Sequence, residues 1–228
     1  NTTGGLNTKF TEGYWLLSER TNGQFASQAY HIEAMENGLR VVAPTSPVLS
    51  RGDTLNRPTI TIEFLAVSPE VISVRAWHYE GYRTGEARFE KKETTCDAVV
   101  TITENEAVLD AGRVSVHVDR KNWGYSFWAD GKLLTSSGFH NLGYVRWDRS
   151  VSSMLPQDNY MKEHEYTPYM TQDLLLAPGE NVYGFGERFT AFVKNGQVVE
   201  TWNEDGGTAS QVAYKNIPFY MTNRGYGV

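Results

Sequence analysis

Apolar and polar residues alternate with a period of two along most of this chain. The alternation is strict in residues 59–64 (TITIEF) and 114–119 (VSVHVD), and it continues less strictly through residues 71–77. One face of such a strand contacts a core and the other faces water, which is typical of antiparallel sheets. The pattern therefore predicts an all-β chain.

Turn sequences separate the predicted strands. Asp130-Gly131 lies between two apolar runs and predicts a tight hairpin, because both residues tolerate positive φ. Turns are also expected at residues 177–180 and 223–225, and residues 194–200 are typical of a hairpin. Many short strands with turns between them predict an antiparallel β-sandwich.

Helices have little support in the sequence. We find no helix of four turns, no internal repeat and no low-complexity segment. Residues 33–36 and 154–169 are the least strand-like segments, and short helical turns are compatible with both. The last residues, 226–228, open a new strand-like run, so we expect a continuation of the sandwich beyond Val228.

Length and composition narrow the class of protein. The chain has 228 residues, and all-β sandwiches of this length often form one domain, so we expect a single domain over residues 1–228. Its 21 basic and 27 acidic residues give a net charge of −6, which argues against a nucleic-acid partner. No apolar stretch is long enough for a membrane span and no leader is recognisable, which favours a cytoplasmic protein without a membrane partner and leaves a secreted protein as the alternative.

Metal, nucleotide and thiol chemistry find little support. The one cysteine, Cys96, excludes an internal disulfide and a multi-cysteine zinc site, and the five histidines lack metal-ligand spacing. Gly184-Phe185-Gly186 lacks the third glycine of a dinucleotide fingerprint, and residues 187–193 are typical of a strand, so we interpret the two glycines as points of close backbone approach. No cofactor and no metal are expected.

Aromatic residues are concentrated in residues 123–128. Alternation places Trp123, Tyr125 and Phe127 on one face of a strand and Trp128 on the other. Flat aromatic faces stack on sugars, but core packing is the better interpretation of this cluster.

The loop 201–208 has a different character. Trp202, Asn203, Glu204 and Asp205 combine an aromatic ring with an amide and two adjacent carboxylates, followed by two glycines. Adjacent carboxylates do not make a glycosidase pair, because retaining enzymes hold the two groups about 5–5.5 Å apart across the scissile bond. A carboxylate beside Trp and Asn suits the binding of hydroxyl groups, and an ordinary solvated loop is the alternative.

Several long segments resemble the N-terminal domain of glycoside hydrolase family 31, and most of all its α-xylosidase branch. The resemblance is densest after residue 155. It rests on residues 10–15 (FTEGYW), 156–160 (PQDNY), 163–169 (EHEYTPY), 182–191 (VYGFGERFTA), 200–208 (ETWNEDGGT) and 214–227 (YKNIPFYMTNRGYG).

The resemblance implies a galactose-mutarotase-like β-sandwich ahead of a (β/α)₈ barrel that carries both catalytic aspartates of a retaining α-glycosidase. Neither aspartate motif is present, so we expect the chain alone to be inactive. In the family a loop of this domain lines the leaving-group side of the active site, and its aspartate falls on Asp205. Trp202, Asn203 and Glu204 share that loop and are weaker candidates for substrate contacts. Glu187 and Arg188 are expected to form a buried or half-buried ion pair.

Three roles follow from these observations. The first is the N-terminal domain of an α-xylosidase, or alternatively of an α-glucosidase, with carbohydrate and its own catalytic barrel as partners. The second is a free-standing carbohydrate-binding sandwich, which needs an exposed aromatic platform. The third is a purely structural partner of the barrel or of an oligomer, which a large exposed apolar patch favours. The sequence leaves a homo-oligomer open.

Overall fold

The computed structural model of the protein describes residues 10–12, 16–55, 57–81, 96–148, 166–204 and 213–228. Within these ranges the chain forms β-strands and one 3₁₀ turn, Arg51–Thr54, and it forms no α-helix. Over the same ranges, no helix meets the length and apolarity that crossing a bilayer requires. The expected all-β class is confirmed.

The strands are, in chain order, β1 (Thr11–Glu12), β2 (Leu16–Leu17), β3 (Thr21–Phe25), β4 (His31–Met35), β5 (Gly38–Pro44), β6 (Thr59–Ser68), β7 (Val71–Trp77), β8 (Val99–Ile102), β9 (Glu106–Asp110), β10 (Val114–Asp119), β11 (Gly124–Ala129), β12 (Lys132–Asp148), β13 (Tyr166–Leu174), β14 (Val182–Gly186) and β15 (Asn216–Thr222).

The chain divides into two compact units. The large unit is Glu19–Leu175, and the small unit combines Asn1–Ser18 with Leu176–Val228. The expectation of a single domain stays a prediction.

The large unit is an antiparallel sandwich. One sheet has four strands in the order β4-β5-β6-β7, and the other follows the path β13-β12-β11-β10-β9-β8 with β3 paired to β12. The 17-residue strand β12 pairs with β11 through its first part and runs between β3 and β13 through its last. The predicted sandwich is confirmed in this unit.

Inward-facing residues of both sheets form the core of the large unit. Ile60, Ile62 and Phe64 alternate along β6 and are fully buried, as are Val116 and Val118 on β10. Both strict alternations in the sequence therefore mark core strands, as predicted. Each buried side chain of this size stabilises the fold by about 1.5–3 kcal/mol relative to exposure.

The aromatic cluster of β11 packs as expected. Tyr125 is 3% exposed, and the ring of Phe64 meets Tyr125 and Phe127 edge to face, at centroid distances of 5.3 and 6.2 Å. Such edge-to-face pairs add to the free energy that area burial alone supplies. Trp128 points to the opposite face of the sheet, where it contacts His117.

One segment suspected of helical turns is a strand. Residues 33–35 belong to β4, and Glu36 and Asn37 form the turn into β5. Glu33 faces outward there, and its carboxylate pairs with Arg40 at 2.7 Å across the strands. Glu and Ala are depleted in strands, which explains why residues 33–36 were the least strand-like in the sequence. Of the second such segment, residues 166–169 are strand β13, and residues 154–165 lie outside the described ranges.

The Asp130-Gly131 hairpin is confirmed. Asp130 has φ 49° and Gly131 has φ 74°, and the turn joins β11 to β12 directly. Two successive positive φ values match the right-handed twist of the strands, as two-residue hairpins require.

The small unit is built around the β14–β15 pair. The last residues return to this pair, because Val228 exchanges two backbone hydrogen bonds of 2.8 Å with Tyr220. Residues 226–228 therefore pair with β15, as the strand-like run predicted, but through an isolated bridge between Met221 and Gly227 and not as a full strand. The turns predicted at 177–180 and 223–225 are also confirmed, with Glu180 N–H donating to Ala177 and Gly225 N–H donating to Thr222.

Candidate functional site

Two glycines let β14 lie against β15. A Cβ on Gly184 would lie 2.7 Å from the carbonyl oxygen of Phe219, and one on Gly186 would meet the carbonyl of Lys215. Both glycines have positive φ, 120° and 86°. Close backbone approach, the predicted role, is confirmed, and residues C-terminal to β14 are thereby held beside the start of β15.

The expected strand over residues 187–193 is wrong. β14 ends at Gly186, and the following residues run as bends without ladder pairing. Positive φ at both Phe185 and Gly186 turns the chain out of the sheet, which overrides the strand preference of the aromatic and β-branched residues that follow.

Glu187 and Arg188 do not form the expected buried pair with each other. The Glu187 carboxylate pairs with Lys215 Nζ at 3.1 Å, and both side chains are about three-fifths exposed. Arg188 instead donates from Nε to the carbonyl of Phe185 and from its terminal nitrogen to Glu200 O and Asn216 Oδ1. Arg188 therefore fastens three segments of the small unit, because a guanidinium offers five donors in a fixed fork.

The predicted hairpin at 194–200 is correct only at its turn. Gln197 N–H donates to the Lys194 carbonyl and Gly196 has φ 74°, but residues 197–200 make no ladder. Lys194 is 7% exposed, and its ammonium donates to Thr190 Oγ1 at 2.9 Å and Ala191 O at 2.7 Å. Burial, and then the charge of Arg188, lower the pKa of Lys194.

A buried carboxylate, that of Glu180, contacts residues at the end of β15 and in the turn before β14. The Glu180 side chain is fully buried. Burial is the largest single influence on its pKa and would raise it, but hydrogen bonds and a cation outweigh burial, so the pKa of Glu180 is lowered. These partners are Tyr226, the Ala177 N–H at 2.7 Å, Thr222 and Arg224 at 3.8 Å.

The base of the predicted sugar-binding loop is fixed by Asn216. Its Nδ2 lies 2.7 Å from Trp202 O, 2.8 Å from Ala213 O and 2.9 Å from Asn203 Oδ1. Asn203 also forms an isolated bridge with Ala213, and the N–H of Glu204 donates to Ala213 O at 3.0 Å. The two ends of the loop are thus held together at residues 203 and 213.

A concavity opens beside this base. It has a volume of about 330 Å³ and is lined by Thr201, Trp202, Asn203, Asn216 and Pro218. The indole of Trp202 is 75% exposed. An exposed flat ring beside amide groups can stack on a sugar ring and hydrogen-bond its hydroxyls.

The predicted site residues thus have different positions. Trp202 and Asn203 line the concavity, and Glu204 follows them as an exposed residue. Asp205, the principal candidate, lies outside the described residues, as do residues 156–160 and 13–15 of the motifs that suggested the site.

Sequence reasoning missed Asn216, although it stands in the motif 214–227. The role of Asn216 could not be read from the sequence. Its side-chain amide, at the start of a strand, donates to loop carbonyls, and residue spacing does not reveal such contacts.

Metal and thiol chemistry find no site in the ranges that the structure describes. No group of three or more His, Cys, Asp or Glu side chains there is placed to hold a metal ion. Cys96 is buried and its thiol donates to Ala111 O at 3.3 Å. A thiol in such surroundings is shielded from reagents.

Curated relatives match nearly the whole chain. The α-xylosidase XylQ of Lactiplantibacillus pentosus is 39% identical over 225 residues, and an α-xylosidase of Emericella nidulans is 33% identical over 229 residues. Each match covers 96% of this chain, but the chain spans only 27% and 29% of the two relatives.

Solved structures share the fold. A cycloalternan-forming enzyme from Listeria monocytogenes, in complex with a pentasaccharide substrate, gives a TM-score of 0.63 at 14% identity and matches 95% of this chain and 18% of its own. A family 31 dextranase of Flavobacterium johnsoniae, complexed with glucose, gives 0.55 at 18% identity, over 90% of this chain and 22% of its own.

The family itself is established by a domain profile. The profile described as "Glycosyl hydrolase 31 N-terminal galactose mutarotase-like domain" matches residues 60–228, which is most of the chain. The resemblance inferred from the motifs is confirmed. The chain therefore belongs to the N-terminal, galactose-mutarotase-like domain family of glycosyl hydrolase family 31.

Proposed function

We propose that this domain belongs to a retaining α-glycosidase of the α-xylosidase type, in which the Trp202 loop lines the leaving-group side of the active site. The observation that carries the proposal is the exposed indole of Trp202 beside a 330 Å³ concavity whose base Asn216 fixes. Two relatives that are named α-xylosidases and match almost the whole chain support xylosides as the substrate class.

Each loop residue has its own part in the proposal. The Asp205 carboxylate accepts hydrogen bonds from hydroxyls of the leaving-group sugar, and the Trp202 ring stacks on it. The Oδ1 of Asn203 accepts two hydrogen bonds from Asn216, which leaves only the amide nitrogen of Asn203 for a ligand. Glu204 is exposed and is the weakest contributor.

The energy of such contacts affects specificity more than chemistry. A hydrogen bond to a charged group contributes about 1.5–3 kcal/mol. Because the leaving-group sugar lies beyond the bond that breaks, this energy selects the acceptor and supplies none of the chemical step. The catalytic aspartates belong, in this proposal, to a barrel outside this chain.

Asp205→Ala in the full-length enzyme tests the proposal. We expect kcat/KM for a xylosyl-glucose disaccharide to fall about 10- to 150-fold, as the loss of one charged hydrogen bond requires. The value for 4-nitrophenyl α-xyloside, which has no leaving-group sugar, should change less. Glu187→Ala is the matched control, because this exposed carboxylate pairs with Lys215 and neither residue lines the concavity. An equal loss on both substrates contradicts a leaving-group role.

The substrate itself requires a separate comparison. Turnover of 4-nitrophenyl α-xyloside and 4-nitrophenyl α-glucoside by the full-length enzyme distinguishes the xylosidase from the alternative α-glucosidase. Faster turnover of the glucoside would favour that alternative. If neither is cleaved and xyloglucan oligosaccharides still bind, the protein is a binding module.

A supporting role for the barrel is favoured by a second observation. On β15, Ile217, Phe219 and Met221 lie on one face and are 46–52% exposed. The chain spans less than a third of its relatives, so a further domain of the same protein is the natural cover for this face. We propose the catalytic barrel as that partner.

Location and assembly belong to the same proposal. A cytoplasmic enzyme is consistent with one free, buried cysteine, because disulfides are rare in reducing compartments. Fractionation of cells and light scattering of the full-length enzyme measure its location and whether it forms a homo-oligomer.

A further inference from the structure

A groove crosses the outer face of the seven-stranded sheet in the large unit. Asp110, Ser115 and Trp128 are register partners on β9, β10 and β11, so their side chains form one row across three strands. Their chain neighbours Leu109 and Val116 point into the core and are fully buried. Because side chains alternate between faces, this row must face outward.

Two turns close one end of this row. Gly112 and Arg113 come from the β9–β10 turn, and Asp130 and Gly131 come from the β11–β12 turn. Arg113 pairs with Asp130 at 3.4 Å, which ties the two turns together. With the row, they enclose a concavity of about 270 Å³. This is near the lower end of the range for ligand sites and suits one sugar residue.

The indole of Trp128 is held in place as one wall of the groove. Its Nε1 donates to Ser126 Oγ at 2.8 Å, and its ring lies 5.6 Å from the ring of His117. With the indole N–H already used, the ring offers a ligand its flat apolar surface. A held aromatic surface of this kind loses little entropy when a sugar ring stacks on it.

The polar wall offers oriented acceptors. His117 Nδ1 lies 2.8 Å from Glu106 Oε1, and its Nε2 lies 3.1 Å from Ser115 Oγ. In the neutral ring, Nδ1–H donates to the carboxylate and Nε2 accepts from the Ser115 hydroxyl. The lone pairs of Ser115, together with the carboxylates of Asp110 and Asp130, remain as acceptors for ligand hydroxyls.

The order Glu106–His117–Ser115 is also that of a hydrolytic triad, but β10 supplies no oxyanion hole for such chemistry. β10 pairs with β9 on one side and β11 on the other over these residues. Its backbone N–H groups are therefore engaged in the ladders, so they offer no oxyanion hole beside Ser115.

Charge selects the class of ligand. Two carboxylates line the groove, and the guanidinium of Arg113 is already paired with Glu70 and Asp130. An anionic ligand would meet uncompensated negative charge, whereas a neutral polyol finds acceptors, one shared cation and an aromatic face. We infer that this groove, the Trp128 groove, binds a neutral sugar residue of a glycan chain. It uses no residue of the Trp202 loop.

Glycan binding by the full-length protein tests this inference. Migration in native gels containing xyloglucan or dextran measures the affinity, with the two polysaccharides distinguishing xylosylated from plain glucan chains. We expect Trp128→Ala to weaken binding at least tenfold and Asp110→Asn to weaken it about three- to tenfold. Asp110→Asn keeps the shape of a surface residue and so remains informative if the Trp128 variant folds poorly.

Phe139→Ala is the matched control for Trp128→Ala, because Phe139 is a 77% exposed aromatic residue on β12 outside the groove. Its affinity should equal that of the unchanged protein. All proteins are also compared in a Trp202→Ala background, which removes the ring of the proposed active-site loop. A loss that persists in this background belongs to the Trp128 groove even if the proposed function is wrong.

Three results would overturn the inference. The first is that neither polysaccharide retards the protein. The second is that Trp128→Ala and Asp110→Asn migrate like the unchanged protein. In the third, the protein binds heparin, a polyanion, more tightly than either neutral glycan.

Discussion

The large and small units bury their apolar residues very differently. In the large unit, two sheets face each other and leave Leu39, Val41 and Phe64 fully buried. In the small unit, β14 and β15 form a two-stranded sheet, and Phe192 and Trp202 are 79% and 75% exposed. The large unit supplies its own core. In the described part of the small unit, polar contacts at Glu180, Arg188 and Asn216 join the segments, and only Val182 and Ala213 are buried apolar residues.

This difference in burial indicates different roles for the two units. A two-stranded sheet is only marginally stable by itself, because two strands alone provide no second layer against which an apolar face can be buried. Exposed apolar residues of this density are typical of a surface that another domain or a ligand covers. The large unit therefore acts as the scaffold and carries the Trp128 groove, whereas the small unit carries the Trp202 loop proposed for the leaving-group sugar and the β15 face proposed for docking.

The largest expected effect is the loss of the central ring of the large unit. Phe64→Ala should lower the free energy of unfolding by about 3–5 kcal/mol, because it removes a fully buried ring and leaves a cavity between the sheets. Phe192→Ala in the small unit should change it by less than about 0.5 kcal/mol. Urea denaturation followed by circular dichroism measures both, and similar losses would show that the small unit has a core of equal weight.

A smaller effect is expected where backbone approaches backbone in the small unit. Gly184→Ala should cost about 1–3 kcal/mol, since its Cβ would lie 2.7 Å from Phe219 O at a φ of 120°. Gly131→Ala is the control, because Gly131 also has positive φ but has nothing within 4 Å of the added carbon. It should cost only about 1 kcal/mol. Equal costs in urea denaturation would mean that φ alone matters and that the close approach does not.

Acid should affect the small unit through Glu180. Its pKa is lowered in the folded state, so its ionised form stabilises the fold above the ordinary carboxyl pKa of 4.5. That contribution is lost as the pH falls below 4.5 and through the lowered value. The backbone amide NMR signals of β14 and β15, followed from pH 7 to pH 2, report unfolding of the small unit.

Glu180→Gln is the control for this acid effect. It removes the ionisable group, so the variant should be less stable at pH 7 and should lose less on acidification. A variant with the same acid profile as the unchanged chain would assign the transition to other carboxylates.

The smallest effect is expected on the exposed face of β15. Phe219→Ser should lower the stability of the 228-residue chain by about 1 kcal/mol, because this residue is only about half buried, at 46% exposure. In the full-length enzyme, the same substitution should lower the thermal midpoint by more if the barrel covers this face. Differential scanning calorimetry of both proteins provides the comparison, and equal behaviour in the two would leave the face without its proposed partner.

The sequence predicted the sandwich because its strands are half-buried. Thr61 alternates with Ile60 and Ile62, and only one face of β6 is strictly apolar, so the period of two is visible in the sequence. The same logic identified the Asp130-Gly131 turn, whose positive φ values need these residue types. Both signals are local, so sequence reasoning could find them.

The small unit was predicted less well because tertiary contacts decide its backbone. Residues 187–193 have the composition of a strand, yet positive φ at Phe185 and Gly186 redirects them, and Arg188 then bonds to Glu200 and Asn216. Such contacts join residues far apart in sequence, so no local pattern contains them. The role assigned to Asp205 came from resemblance and stays a prediction.

The long strand β12 also affects how the chain folds as it leaves the ribosome. β3 has its ladder partner in the last part of β12, so β3 emerges long before the strand that completes its pairing. At about 5–20 residues per second, synthesis leaves β3 without that partner for roughly 6–24 s. Closure of the seven-stranded sheet is therefore a late event in biosynthesis, and until then β3 is open to a chaperone or to pairing with a wrong strand.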